Sequence, residues 1–450
     1  MHKQKPLNYF LLLVSFISYC LVAFQIERYE TTPLLVSFVL LFLIYVWVLR
    51  SESETEISFW ILASILFRLC FLFSTPLLSD DFYRFIWDGR LLAAGVHPFA
   101  ELPRYYIENN STIPGIDKSL FNKLNSPDYF TIYPPVNQFI FWVAARLSFG
   151  SILSSVIVIR LFIIASEIGT IWLIKKILHH YQLPARNALL YALNPLVVIE
   201  LTGNLHFEAL LIFFLLLSYW LLIRGKLISS AISFSLAICT KLVPLIFLPL
   251  MFSRLGWKKS CIYYLIVGVS TILLFLPLLN AEIISGFNES IGYYFKKFEF
   301  NASIYYLVRE WGFWKYGYNI IQTVGWKLAV YCTFSILVYS SWDYIQNSKL
   351  KTQKADFNLR HLPNSFLVIL CIYFAFATIV HPWYVTTILA FSVFTTLRFP
   401  VIWTAMIFLT YVGYSKTGFS ENLWITSIEY LVLIGYLVYE LIWKKEKYSA

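Results

Sequence analysis

The stretch ISFWILASILFRLCFLFSTPLLSDDFYRFIWDGR, Ile57–Arg90, decides the fold. Residues 57–78 carry one charge, Arg68, and then the chain turns abruptly polar at Asp80-Asp81, followed by Arg84, Asp88 and Arg90. A hydrocarbon core about 30 Å thick needs about 20 apolar residues at about 1.5 Å rise each. The first part therefore reads as a membrane helix, and the second as the chain emerging into water with carboxylates in hand.

The rest of the chain repeats that pattern. Of 450 residues, 59% are hydrophobic and 13% charged, with a mean hydropathy of +0.68. Soluble domains are about half apolar and a quarter charged, so a soluble, disordered or singly anchored chain is excluded. Apolar windows fall near 8–25, 34–49, 57–78, 153–174, 187–202, 207–223, 227–240, 242–252, 260–279, 326–343, 363–380, 384–397, 399–413 and 425–442. Residues 227–252 read as one span or as a hairpin broken near Lys241 and Pro244. The predicted fold is an all-α polytopic membrane protein of about 12–14 spans. The first window starts beside Lys3 and Lys5 and runs into Gln25-Ile26-Glu27-Arg28 with no small-residue cleavage pattern, so it reads as a retained span.

The formal charge of +10 raises the question of a polyanionic partner. Lys and Arg concentrate in alternate connections (Arg50; Lys175, Lys176 and Arg186; Arg224 and Lys226; Arg254, Lys258 and Lys259; Lys349–Arg360; Lys444, Lys445 and Lys447), and acids in the others. That is a topology signal placing both termini in the cytoplasm. No basic stripe with interleaved aromatics is left over for nucleic acid. The six cysteines lie in or beside apolar runs, which gives neither a disulfide framework nor zinc-ligand spacing. Sequons at Asn109, Asn110, Asn288 and Asn301 matter only in a secretory-pathway host.

Two outer connections are long, 79–135 and 280–325, and both are rich in aromatic residues. Long loops in compact proteins are commonly functional. Aromatic rings among acids suit sugar recognition, and an aromatic belt at the headgroups is the alternative. As a helix, the segment after Ser79 lines up Asp80 or Asp81, Arg84 and Asp88 on one face and Phe82, Phe85, Ile86 and Ala93 on another. This predicts an amphipathic helix at the outer interface, ended near Gly95 and Pro98. Asp80 suits a helix N-cap. Two adjacent acids with a downstream Arg also suit a general base beside a membrane-delivered substrate.

Further polar groups sit at outer span ends: Tyr133-Pro134-Pro135, Asn204 with His206 and Glu208, Asn301 followed by Arg309, and His381 with Trp383. Arg68, Arg160, Glu167 and Lys241 lie within apolar runs, where an ionisable group is costly and faces a polar interior. Lys241 sits at a helix break, where it can bind a lipid phosphate or pair with Glu167.

The run DDFYRFIWDGRLLAAGVHPF (80–99) resembles the signature of class C (GT-C) glycosyltransferases that use polyprenyl-phosphate sugars, in their bacterial alpha-mannosyltransferase-like branch. The resemblance extends through YPP (133–135), NPLVVIELTGNLHFEALL (194–211), TKLVPLIFLPL (240–250) and HPWY (381–384). It implies a GT-C-like core over 57–400, after two N-terminal accessory spans (1–56) and before C-terminal spans (401–450). It also implies an inverting transfer of a hexose, mannose by resemblance, from a polyprenyl-phosphate donor to an extracytoplasmic glycan or lipid acceptor, in the plasma (inner) membrane.

The family's catalytic base carries over to Asp80 or Asp81, with Asp80 the first acid after the span. Arg84, Arg90, Lys241 and Arg309 become candidate cations for the departing phosphate. Asp88, Tyr133, His206, Glu208, Asn301, His381 and Trp383 become candidate substrate contacts. Asp80, Asp81, His206 and Glu208 could also ligate a divalent cation, which some members use, but their spacing does not demand one. The alternative is a transporter or flippase of a polyprenyl-linked glycan, for which internal repeats and midplane polar sites are the expected marks.

Overall fold

A computed structural model describes residues 4–51, 56–279, 292, 297–349 and 359–446. The sequon at Asn288, most of the first third of the second long loop, Lys3, and most of the basic run 349–360 lie outside the described residues.

The chain is an all-α polytopic membrane protein. Among the described residues, six helices are long and apolar enough to cross a membrane by themselves: Pro6–Phe24, Thr31–Ser51, Ile152–His180, Trp257–Leu278, Ile321–Asn347 and Leu423–Ile442. A seventh span is available if Val197–Gly203 and Glu208–Ile223, bent by 108° at their break, are taken together. Five shorter apolar helices accompany them: Ile57–Leu69, Leu227–Ile238, Val243–Leu255, Leu362–Phe376 and Phe399–Gly413.

Each of the fourteen apolar windows holds helix, but hydropathy overstates the length of several. The helix in 57–78 stops at Leu69 and turns before Pro76. The window 187–202 is broken at Asn194-Pro195 into a short helix and a π-helical stretch. Composition alone does not separate a full span from a buried half-helix.

The helices are α1 (Gln4–Phe24), α2 (Thr31–Ser51), α3 (Ile57–Leu69), α4 (Asp81–Ala93), α5 (Pro103–Glu108), α6 (Lys118–Phe121), α7 (Pro135–Leu147), α8 (Ile152–His180), α9 (Ala188–Ala192), α10 (Glu208–Ile223), α11 (Leu227–Ile238), α12 (Leu248–Leu255), α13 (Trp257–Phe275), α14 (Ile304–Tyr316), α15 (Ile321–Lys349), α16 (Leu362–Phe376), α17 (Val385–Ser392), α18 (Phe399–Met406) and α19 (Leu423–Glu446). A two-residue hairpin, β1 (Tyr414–Ser415) with β2 (Gly418–Phe419), precedes α19. The main packing pairs are α10 with α11 and α8, α4 with α7, and α11 with α13.

The α4 helix differs from the surface helix expected. Its apolar face packs on α7, and its polar face is covered as well, so Phe82, Arg84, Phe85, Ile86, Trp87 and Asp88 are all buried. The rings of Phe85 and Phe141 stack at 4.8 Å, and Phe207 meets both edge-on. The helices approach closely at Gly89, where a Cβ would stand 2.2 Å from the Phe141 carbonyl oxygen. A backbone atom cannot swing aside as a side chain can. Gly89→Ala should therefore push α4 off α7 and destabilise the protein by about 1–3 kcal/mol. Thermal unfolding in detergent reads this, and an unchanged midpoint would show the crossing to be loose.

Buried charges brace the core. Arg68 donates to Glu167 at 2.7 and 3.1 Å and to the Ser64 and Ala192 carbonyls, while the Tyr191 hydroxyl donates to the other Glu167 oxygen. Glu167 is thus the partner of Arg68 and not of Lys241. Arg160 donates to the carbonyls of Leu72, Ser74, Thr202 and Gly203. It ties the turn leading to Asp80 to the turn leading to His206. At the opposite end of the bundle Arg254 pairs with Asp343 at 2.7 Å and donates to Ser365, linking α12, α15 and α16.

Candidate functional site

Five connections meet at one end of the bundle: the α1–α2 turn, the start of α4, the turn 204–207, the 377–384 segment and the β1–β2 hairpin. Asp80 occupies the N-cap position of α4, yet its carboxylate makes no cap bond. It is ion-paired with Arg28 from the α1–α2 turn, and both side chains stay about one-third exposed. The Arg28 backbone N–H donates to the Leu77 carbonyl at 3.3 Å, fixing the turn to the segment that carries the acids. Asp81 accepts from the Asn125 amide at 2.6 Å, and its other oxygen lies 3.9 Å from His206 Nε2.

His206 is aimed by the backbone before it. The chain runs through the π-helical turn Val197–Gly203 and then Leu205, a buried non-glycine residue in the left-handed region at φ 64°. π-bulges and left-handed non-glycine residues gather at functional sites because the surroundings must over-determine them. His206 Nδ1 lies 2.9 Å from the Glu200 carbonyl oxygen and 3.3 Å from its carboxylate. Glu200 accepts in turn from Tyr411 at 2.7 Å and Asn204 at 3.0 Å. The second ring nitrogen, Nε2, is buried with no hydrogen-bond partner among the described residues and faces Asp81.

A ring column extends from His206. It stacks on Trp383 at 3.7 Å, Trp383 stacks on His381 at 4.3 Å, and His381 meets Phe300 at 4.5 Å. Both faces of Trp383 are thereby covered, so it offers a ligand its edge and not a stacking face. Burial pushes the His381 imidazole down to about 3, and the Lys241 and His206 charges push the same way, so the ring is neutral at physiological pH. Lys241 pairs with Glu208 and sits 3.6 Å over the Tyr384 ring, its side chain still about one-third exposed.

The other sequence candidates are placed differently. Arg84 donates to Asp88 at 2.8 Å and to the Ser126 and Tyr129 carbonyls, and Gln138 donates to the second Asp88 oxygen. This buried cluster fixes the first long loop over α4. Arg90 donates to the Gly115 and Gly150 carbonyls, each at 2.6 Å. Tyr133 packs edge-on against Phe85 and Phe141. Arg309 pairs with Glu299 at 2.6 Å and Glu310 at 3.1 Å.

Asn301, buried at φ 44°, donates its amide to Glu429 and its backbone N–H to Glu421, and accepts from Tyr430. It belongs with Arg309 to a neighbouring cluster, joined to the first through Phe300. The parallel bridge between Phe300 and Ile379 makes that junction, with Phe300 N–H donating to Thr378 and Val380 N–H to Phe300. Among the described residues, no three His, Cys, Asp or Glu side chains gather closely enough to hold a metal ion.

Nothing in the sequence alone singles out Arg28, Asn125, Glu200 or Tyr411. Arg28 and Asn125 lie in polar connections that carry no motif, and Glu200 is a lone acid inside an apolar run.

Residues 16–255 match the family described as "Alpha-(1->6)-mannopyranosyltransferase, N-terminal domain". The chain is also similar to alpha-(1->6)-mannopyranosyltransferase A of Mycobacterium tuberculosis (strain ATCC 25618 / H37Rv), 25% identical over 181 residues. That alignment covers 40% of this chain and 34% of the relative, so the match spans about a third of the relative's length. Arg28, Asp80, Asp81, His206, Glu208 and Lys241 fall inside the family match, and His381 and Trp383 fall beyond it.

Proposed function

The chain belongs to the alpha-(1->6)-mannopyranosyltransferase family, and from that premise we propose that it transfers mannose, with inversion, from a polyprenyl-phosphate donor to a hydroxyl of a glycan or lipid acceptor. The reaction takes place at the extracytoplasmic face of the inner membrane, with both termini in the cytoplasm. The observation that carries this reading is the paired acid Asp80-Asp81 at a helix mouth, with Arg28 on one carboxylate and the His206 column on the other.

Asp80 is the general base. Arg28 holds one of its oxygens, and the other has no hydrogen-bond partner among the described residues. Asp81 has one oxygen committed to Asn125 and the other turned to His206, so it positions the site. Asp80 takes the acceptor hydroxyl proton as that oxygen attacks the anomeric carbon. The bond from this carbon to the phosphate oxygen breaks on the opposite face, and its electron pair leaves with the polyprenyl phosphate. Asp80 then returns the proton to water. Inversion that yields an alpha linkage requires a beta-linked donor. The relative's name points to the 6-hydroxyl of a mannose as acceptor.

A donor already in the bilayer explains why the acids stand where a membrane helix ends. Lys241, beside Tyr384 and Glu208, supplies positive charge for the leaving phosphate. The purified chain should convert polyprenyl-phosphate mannose and an oligomannose acceptor into extended glycan and equimolar polyprenyl phosphate. Movement of the lipid across vesicles without any glycosidic product would replace this reading with the flippase alternative.

A further inference from the structure

The arginines near the acids divide into two kinds. Arg68, Arg84, Arg90, Arg160 and Arg309 end on carboxylates or backbone carbonyls of their own chain. Arg28 gives only Nη2 to Asp80, and its remaining N–H donors have no hydrogen-bond partner among the described residues. It is also the arginine in contact with the proposed base. Its guanidinium lies 5.3 Å over the Tyr414 ring, and Lys416 of the same hairpin lies over the Tyr29 ring at 5.2 Å. The α1–α2 turn and the β1–β2 hairpin thus each set a cation on a tyrosine face of the other, and one of the two, Arg28, is paired with Asp80.

A guanidinium is planar, permanently charged and able to serve two anions with different N–H groups. We propose that Arg28 is a ligand of the donor's phosphate, bridging the phosphate to Asp80, so that the N-terminal helix pair completes the donor site. This rests on the donor reading above. Nη2 stays on Asp80 while the open donors meet phosphate oxygen, and the bridge sets the base beside the bond that breaks. Exposure of about one-third leaves the group accessible to a ligand.

The test uses the full chain in lipid nanodiscs, with polyprenyl phosphate lacking sugar as the probe and tryptophan fluorescence as the binding signal. Arg28→Gln should weaken polyprenyl-phosphate binding and raise the donor KM by about tenfold or more, the scale of charge-assisted hydrogen bonds. Arg28→Lys should recover part of that loss, and it carries the test if the Gln variant does not fold. Asp80→Asn should leave polyprenyl-phosphate binding within about threefold of the parent. Unchanged binding in Arg28→Gln with a fall in kcat alone would overturn the proposal and make Arg28 a positioning residue for Asp80. A parent chain that binds no polyprenyl phosphate would instead sink the donor reading, and the proposal with it.

Discussion

Asp80→Asn should abolish transfer in a protein that folds and binds donor normally. The substitution keeps the shape of the side chain and removes its basicity. General-base catalysis contributes about 10²- to 10⁴-fold, so kcat should fall by that range while the donor KM moves little. Asp80 does not cap α4, so no helix-capping energy is lost. The Arg28 ion pair is about one-third exposed, and such pairs contribute at most about 1 kcal/mol. The thermal midpoint should therefore stay close to the parent's. Asp81→Asn is the comparison that assigns the roles. It retains a hydrogen-bonding oxygen toward Asn125 and loses the charge facing His206. A loss of about tenfold, with some rise in acceptor KM, fits a positioning carboxylate. The reverse outcome, near-parent rates for Asp80→Asn and none for Asp81→Asn, would move the base to Asp81.

Much of the candidate site is legible in the sequence because it lies in polar islands between apolar runs. Asp80-Asp81, His206 with Glu208, and His381 with Trp383 stand out by contrast with their neighbours, and folding brings all three islands to one end. Lys241 stands out for the same reason, but its pairing with Glu208 does not. Glu208 and Glu167 are both acids near apolar sequence, and only packing gives Glu208 to Lys241.

Arginines are the hardest to read. In sequence, an arginine that binds an anion looks like one that ties down carbonyl oxygens. Arg84 and Arg90 are candidate phosphate ligands by sequence, and in the structure they donate to the carbonyls of Ser126, Tyr129, Gly115 and Gly150. Arg28 sits in a short turn that carries no motif, and its place beside Asp80 depends on the α1–α2 turn docking against Leu77. The same gap explains α4. Its amphipathic pattern is real, but a helix polar on one face need not meet water there when a loop such as 126–131 supplies carbonyls to cover it.

Arg68→Leu should be the most destabilising single change in the core, and its partner substitution should show why. Arg68 and Glu167 are fully buried. With Arg68 gone, Glu167 keeps, among the described residues, only the Tyr191 hydroxyl at 2.6 Å, and the Ser64 and Ala192 carbonyls lose the guanidinium donor. Breaking one side of a buried ion pair costs about 3–5 kcal/mol, whereas replacing both partners by apolar groups is often neutral or better. Arg68→Leu should thus lower the unfolding midpoint sharply and reduce transfer through loss of folded protein. The double variant Arg68→Leu/Glu167→Leu should regain most of the stability, measured as thermal unfolding in the same detergent. If it folds and still transfers mannose, the pair only braces α3 against α8. If it folds at parental stability but transfers nothing, the buried pair takes part in the reaction, and the boundary drawn between bracing charge and catalytic charge is misplaced.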